Sequence, residues 1–282
     1  MKSYPLGLRY MVESALFFSV MSVLVKIAGQ SVPVSHIVLA RTSVAFAMSL
    51  AILRSQGISP WGVRKDLLAL RGFLGVGGLV CFYSALTILP LADATTIHYT
   101  NPILVALLAG FFLGEKITRG IVVASALCVV GVVLVARPGF LFGGAAYDPI
   151  GIWAAVGGAL FSAAAYTTVR KLGQTEHPVV TVFWFPMVAL PLVLPWAIWT
   201  GTVPTLTEFA ILLGVGISTQ LAQVRMTQGL QLESAARATS ITYLQVVFAF
   251  VWGVLLFGEI PTWTAVVGAV LIVALSKRAL SS

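Results

Sequence analysis

Charge is what this chain has least of. Nine acids and seventeen Lys or Arg among 282 residues make 9% of positions charged, against roughly 25% in ordinary soluble domains. With 59% of the residues hydrophobic, a water-soluble globule is excluded. Long polar stretches are missing too. The longest connections lie near residues 54–66 and 137–149, which leaves no room for a soluble domain and confines any chemistry to the apolar segments. Cysteine is limited to Cys81 and Cys128, both inside apolar runs, where a free thiol behaves as a small hydrophobe. The three histidines join no carboxylate or cysteine in a metal or nucleophile–base constellation. No cofactor or metal is therefore expected, and a membrane-embedded enzyme is disfavoured. The GxxxxGKS/T phosphate loop is absent, and the glycine clusters GVGGL (75–79) and LGVG (213–216) do not complete GxGxxG, so ATP hydrolysis is disfavoured as well. These glycines suit close helix contact instead.

What the sequence does contain is ten apolar runs of the length that crosses a bilayer, about 20 residues. They fall at about 8–28, 35–53, 69–89, 93–113, 119–136, 150–169, 179–199, 208–229, 236–257 and 262–276, here called spans 1 to 10. The first run is too long and too polar in its flanks for a cleaved leader and reads as a retained span. The net charge of +8 does not imply nucleic acid, because the cations gather in alternate loops. Lys2, Arg9, Arg54, Arg64, Lys65, Arg71, Lys116, Arg119, Arg170, Lys171, Lys277 and Arg278 fall on one side and little beyond Arg137 on the other. The positive-inside rule then puts both termini in the cytoplasm.

Glu115 and Glu259, each preceded by glycine, lie 144 residues apart. At that offset Ala94, Thr95, Ile97 and Tyr99 meet Ala238, Thr239, Ile241 and Tyr243, and ALFFSVMSVLVKIAG (15–29) meets ALFSAAAYTTVRKLG (159–173). The chain is a duplicated five-helix unit, with residues 1–137 as the first copy, 138–149 as an external linker and 150–282 as the second. Five is odd, so the copies cross the membrane in opposite directions, as in many secondary transporters. The loops agree with this: GEKITR carries cations on the inner side and GEIPTW carries none on the outer side, while Asp93 is replaced by Arg237.

The stretch LPLADATTIHYTNPILVALLAGFFLGEKIT and its echo ESAARATSITYLQVVFAFVWGVLLFGEIPTW resemble the EamA-type repeat of the drug/metabolite transporter superfamily, over nearly the whole chain. The resemblance implies an all-α integral membrane protein of ten helices, with a central cavity between spans 1–4 and 6–9 and spans 5 and 10 paired at the periphery. It implies transport of amino acids, other small metabolites or organic ions, and slightly favours export.

Lipid offers no hydrogen-bond partners, so polar side chains within spans face the interior or a wet cavity. Asn101, the only asparagine of the chain, is ~12 Å below the outer end of span 4, near the midplane. Gln245 is its repeat partner. These two amides are the first candidates for substrate binding, against an alternative in which each joins neighbouring helices. Tyr99 and Tyr243 share a face with Thr95 and Thr239 and either frame substrate or pack. Pro102 leaves the His98 carbonyl without its helical donor and should loosen span 4, whereas span 9 has Val246 there, making the copies unequal. His98 is a candidate for proton coupling or a packing residue. Arg41, ~9 Å into span 2, either attracts a substrate carboxylate or pairs with Asp93. Lys26 and Arg225 are cations near span ends that snorkel to the interface or gate access. Tyr83, Trp153, Phe161, Tyr166, Trp184 and Phe185 are candidate cavity aromatics, whereas Trp196, Trp199 and Trp263 fit interfacial anchors.

The reading is an alternating-access secondary transporter of a small polar metabolite, an amino acid or related carboxylate, in the inner cell membrane. Coupling to protons or a counter-substrate and assembly as a homodimer are compatible with it. The alternatives are uptake or exchange of an organic anion and, from another class, a non-transporting scaffold or lipid-interacting protein.

Overall fold

Backbone amides in lipid must be satisfied within the segment that carries them, and the computed structural model meets that demand with helices. It describes residues 5–89, 91–116, 118–136, 139–142, 148–201, 203–258 and 262–281, and among these there is no strand. The helices are α1 (Leu6–Ala28), α2 (Val34–Ser55), α3 (Lys65–Ile88), α4 (Leu91–His98), α5 (Asn101–Leu113), α6 (Arg119–Ala136), α7 (Gly139–Phe142), α8 (Pro149–Leu172), α9 (Pro178–Thr200), α10 (Leu206–Leu232), α11 (Ala235–Ser240), α12 (Leu244–Phe257) and α13 (Trp263–Ser281). A 3-10 turn, Ile241–Tyr243, joins α11 to α12. Eight stretches among the described residues are long and apolar enough to cross a membrane, α4–α5 and α11–α12 each contributing to one; α13 adds a shorter apolar stretch, Trp263–Leu275.

Local chemistry sets the helix ends. Asp148 and His177 accept the first free amides of α8 and α9, each followed by a proline that needs no partner. Thr205 and Glu208 form a reciprocal capping box on α10. Gly114 and Gly258 end α5 and α12 at φ of 65° and 64°, a left-handed conformation that glycine adopts without strain. Each therefore turns the chain sharply before the following glutamate.

Packing is pairwise and comes in twins. α1 lies on α10 and α3 on α8; α12 touches α1 and α5 touches α8; α2 meets α10 as α3 meets α9; α2 meets α9 and α6 meets α13. At the 144-residue offset α1 corresponds to α8, α2 to α9, α3 to α10 and α6 to α13. Exchanging the halves therefore maps each of these contacts onto another of the set or onto itself. Small residues let the helices approach: a Cβ on Gly268 in α13 would stand 2.5 Å from the carbonyl oxygen of Gly131 in α6.

Span 4 is broken into α4 and α5 at Tyr99–Thr100, where a proline at 102 was expected to loosen it. Span 9 also departs from α-helix at the corresponding place, although the two departures differ in kind. With no proline, it is interrupted by the 3-10 turn ending at Tyr243. Hydroxyl groups crowd both places. Thr100 Oγ1 donates to the Ile97 carbonyl and Thr242 Oγ1 to the Thr239 carbonyl, both at 2.7 Å, and Ser240 and Thr239 bond back to Arg237 and Ala235. Such side chains compete with the helical ladder for carbonyls.

Candidate functional site

The two breaks meet. Tyr99 and Tyr243 face each other with ring centroids 6.2 Å apart and planes tilted by 33°. Tyr243 is fully buried, its hydroxyl without a partner among the described residues; it clusters with Cys128 and Val132 of α6 and Ile272 of α13, and Tyr99 packs against that cluster. Gln245, two residues beyond Tyr243, is partly buried.

Tyr166 of α8 links this aromatic pair to two cations. It is within electrostatic range of Tyr99 and of the guanidinium groups of Arg41 (α2) and Arg71 (α3). Arg71 is only 3% exposed. Its Nε and Nη1 have no hydrogen-bond partner among the described residues, and its guanidinium stands 5.4 Å from the centroid of the Phe185 ring. A Cβ on Gly75, one turn further along α3, would overlap Arg71 Nη1. Glycine there lets the guanidinium fold back along its own helix toward the middle of the bundle. Arg41 is partly buried, and its Nε is likewise unpartnered.

The described carboxylates are committed elsewhere. Glu13 pairs with Arg225 at 2.9 Å, Glu115 with Arg170 at 2.7 Å and Glu233 with Arg237 at 3.5 Å. Glu176 accepts the amides of Val63 and Arg64. Asp148 and Glu208 cap helices, and Asp66 takes two hydrogen bonds from Arg64, which hold its carboxyl down at about 2. The Asp93 and Tyr83 side chains lie outside the described residues, as does Glu259.

Asn101 is buried at the start of α5, and its Nδ2 donates to the Ala159 carbonyl of α8 at 3.1 Å, so its amide joins two helices. His98 stacks against Phe82 at 4.5 Å between centroids, with Nδ1 buried and unpartnered among the described residues. Trp184 departs from the cavity expectation. Its Nε1 donates to the Pro60 carbonyl at 3.1 Å and its ring meets Trp61 edge-on, so it fastens the α2–α3 loop to α9. Arg225, also over the Tyr10 ring at 5.0 Å, faces an acid within α1 that the sequence pattern does not reveal. Lys26 Nζ stands 4.0 Å from the Phe257 ring centroid.

A model of the EamA-like transporter family matches residues 5–137 and again 149–275. The chain belongs to the EamA-like transporter family. Over 271 residues it is 32% identical to a protein named pseudopaline exporter CntI of Pseudomonas aeruginosa (strain UCBPP-PA14), covering 95% of this chain and 93% of that one. It is 31% identical to human solute carrier family 35 member G1, covering 95% of this chain and 77% of that one. A crystal structure superposes with a TM-score of 0.85 at 20% identity, over 99% of this chain and 97% of that chain, a likeness of fold. As an EamA-like member of the drug/metabolite transporter superfamily, the chain is a multi-pass membrane transporter of a small molecule.

In this EamA-like transporter Glu115 does more than shape a turn. Oε1 accepts from Arg170 Nε at 2.7 Å and Oε2 from the Ala235 amide at 2.8 Å, while Arg170 Nη1 reaches the Gln231 carbonyl at 2.7 Å. The end of α5 is thereby tied to the ends of α8 and α10 and the start of α11. Two further buried groups escape sequence reasoning, Arg71 and Gln220. Arg71 groups with the loop cations because it lies six residues into α3, and the Arg-x3-Gly spacing to Gly75 is its only signal. Gln220, 1% exposed, donates to Ser49 at 2.7 Å, and its Oε1 has no partner among the described residues.

Proposed function

We propose that this chain is a secondary-active, alternating-access transporter in the inner cell membrane that moves a small metabolite bearing a carboxylate, an amino acid or related acid. The halves are inverted five-helix repeats, 1–137 and 150–282, giving ten membrane helices with both termini cytoplasmic. The observation that carries the reading is the convergence of two interrupted helices at Tyr99 and Tyr243, residues related by the repeat offset. Discontinuous helices meeting at a repeat interface are how many secondary transporters build their substrate sites. The exchanged packing twins support the inversion, and the cation bias of the loops supports the orientation.

Substrate lies between Arg41, Tyr99, Tyr243 and Gln245, with Arg41 drawing the carboxylate and Asn101 holding α5 against α8. The Glu115–Arg170 bridge is the cytoplasmic latch of this cycle. At the 144-residue offset its partners become Glu259 and Lys26, and the contact of Lys26 with Phe257, two residues before Glu259, supports an equivalent latch on the outer side. Export is the direction we assign, because a relative carries the name of an exporter. Purified protein in liposomes tests the function. Counterflow or gradient-driven movement of labelled amino acids and organic acids is expected. No flux of any panel member under proton, sodium or counter-substrate gradients would instead favour a scaffold.

A further inference from the structure

Arg41 and Arg71 are two like charges held inside a membrane bundle, on α2 and α3, which both pack against α9, and both carry donors unmet among the described residues. A buried cation is retained only where its charge is answered. The Phe185 ring answers Arg71 in part, but the described carboxylates all have other partners. Nor does Arg71 snorkel to the near face, because Gly75 opens the space that lets its guanidinium fold inward.

We propose that Arg41 and Arg71 form a paired seat for a substrate with two carboxylates, each guanidinium taking one, with the Tyr166 hydroxyl donating between them. This deepens the proposed transport function and rests on it for the meaning of the site, not for its existence. Two anionic groups neutralise two cations and remove their mutual repulsion, whereas a single carboxylate leaves one guanidinium desolvated and unanswered. Spacing favours two separate groups over one compact dianion. Arg41 is ~10 Å from its end of α2 and Arg71 ~9 Å from the opposite-facing end of α3, so the two side chains enter the middle layer from opposite faces. The planar fork of arginine matches a carboxylate in bidentate fashion.

The test is ligand-induced thermal stabilisation of the detergent-purified full chain, with counterflow measured in parallel. Probes are succinate, glutarate and adipate, the monocarboxylates butyrate, valerate and caproate, and inorganic phosphate. At least one dicarboxylate is expected to bind tenfold or more tightly than its matched monocarboxylate. Arg71→Gln and Arg41→Gln should each abolish that preference. Gly75→Ala, which keeps both charges but displaces the Arg71 guanidinium, should weaken it, and Asp93→Asn should leave it intact. Equal shifts for phosphate and the dicarboxylates, no dicarboxylate preference, or a preference surviving both arginine changes would overturn the proposal. So would a preference that depends on Asp93. Should monoanions exchange without any dicarboxylate preference, the seat is wrong and the transporter stands. Should dicarboxylates stabilise a protein that moves nothing, the seat stands and the transport reading fails.

Discussion

Replacing Glu115 by Ala removes two charge-assisted acceptors at once, from Arg170 Nε and from the Ala235 amide. Hydrogen bonds to charged groups contribute ~1.5–3 kcal/mol each. The side chains are 27% and 16% exposed, so solvent screening reduces the pair toward the value of a surface bridge, and ~2 kcal/mol for the whole bridge is a reasonable expectation. Arg170→Ala should cost a similar amount, since it also abandons the Gln231 carbonyl. Because both changes break one connection, the double variant should lose less than the sum, with a coupling of ~1–1.5 kcal/mol. Thermal unfolding of the four proteins in one detergent measures the cycle, and a ~2 kcal/mol loss corresponds to ~4–8 °C in Tm for a chain of this size. Strict additivity, within ~0.3 kcal/mol, would refute the idea that Glu115 and Arg170 act as one latch.

Three further outcomes follow from the packing. Asn101→Ala should cost ~0.6 kcal/mol, the scale of an interhelical membrane hydrogen bond, and should leave flux intact; flux lost from a normally stable protein would put Asn101 on the substrate. Gly268→Val should destabilise by ~1–3 kcal/mol, as overpacking does, because the new side chain meets the Gly131 backbone; an unchanged Tm would mean α6 and α13 are not in contact. Trp184→Phe should lose ~1 kcal/mol with its bond to Pro60 and keep substrate affinity, whereas a selective drop in affinity would return Trp184 to the site.

Hydropathy gave away the helices, because a lipid solvent leaves few alternatives to an apolar run of ~20 residues. The repeat offset paired Tyr99 with Tyr243, but their contact emerges only in the fold. Side-chain direction was harder to read. Arg71 looked like a loop cation because distance from a helix end does not say whether a long side chain snorkels outward or folds back, and that depends on Gly75 and Phe185 from another turn and another helix. Glu13 and Arg225 are 212 residues apart, and only the α1–α10 contact reveals them as partners. Proline misled in the opposite way. It marked the break in span 4 and gave no sign of the 3-10 turn in span 9, where threonine and serine side chains bond back to the helix.

The central claim is that the layer at Tyr99, Tyr243 and Arg41 opens to one side of the membrane and then to the other. Cysteine placed at Gln245, with Cys81 and Cys128 changed to Ala, can be challenged in oriented proteoliposomes with a membrane-impermeant thiol reagent. Labelling from both faces, in proportions that shift when a transported substrate is added, is the predicted result. Labelling from a single face that substrate does not alter would contradict alternating access at this site.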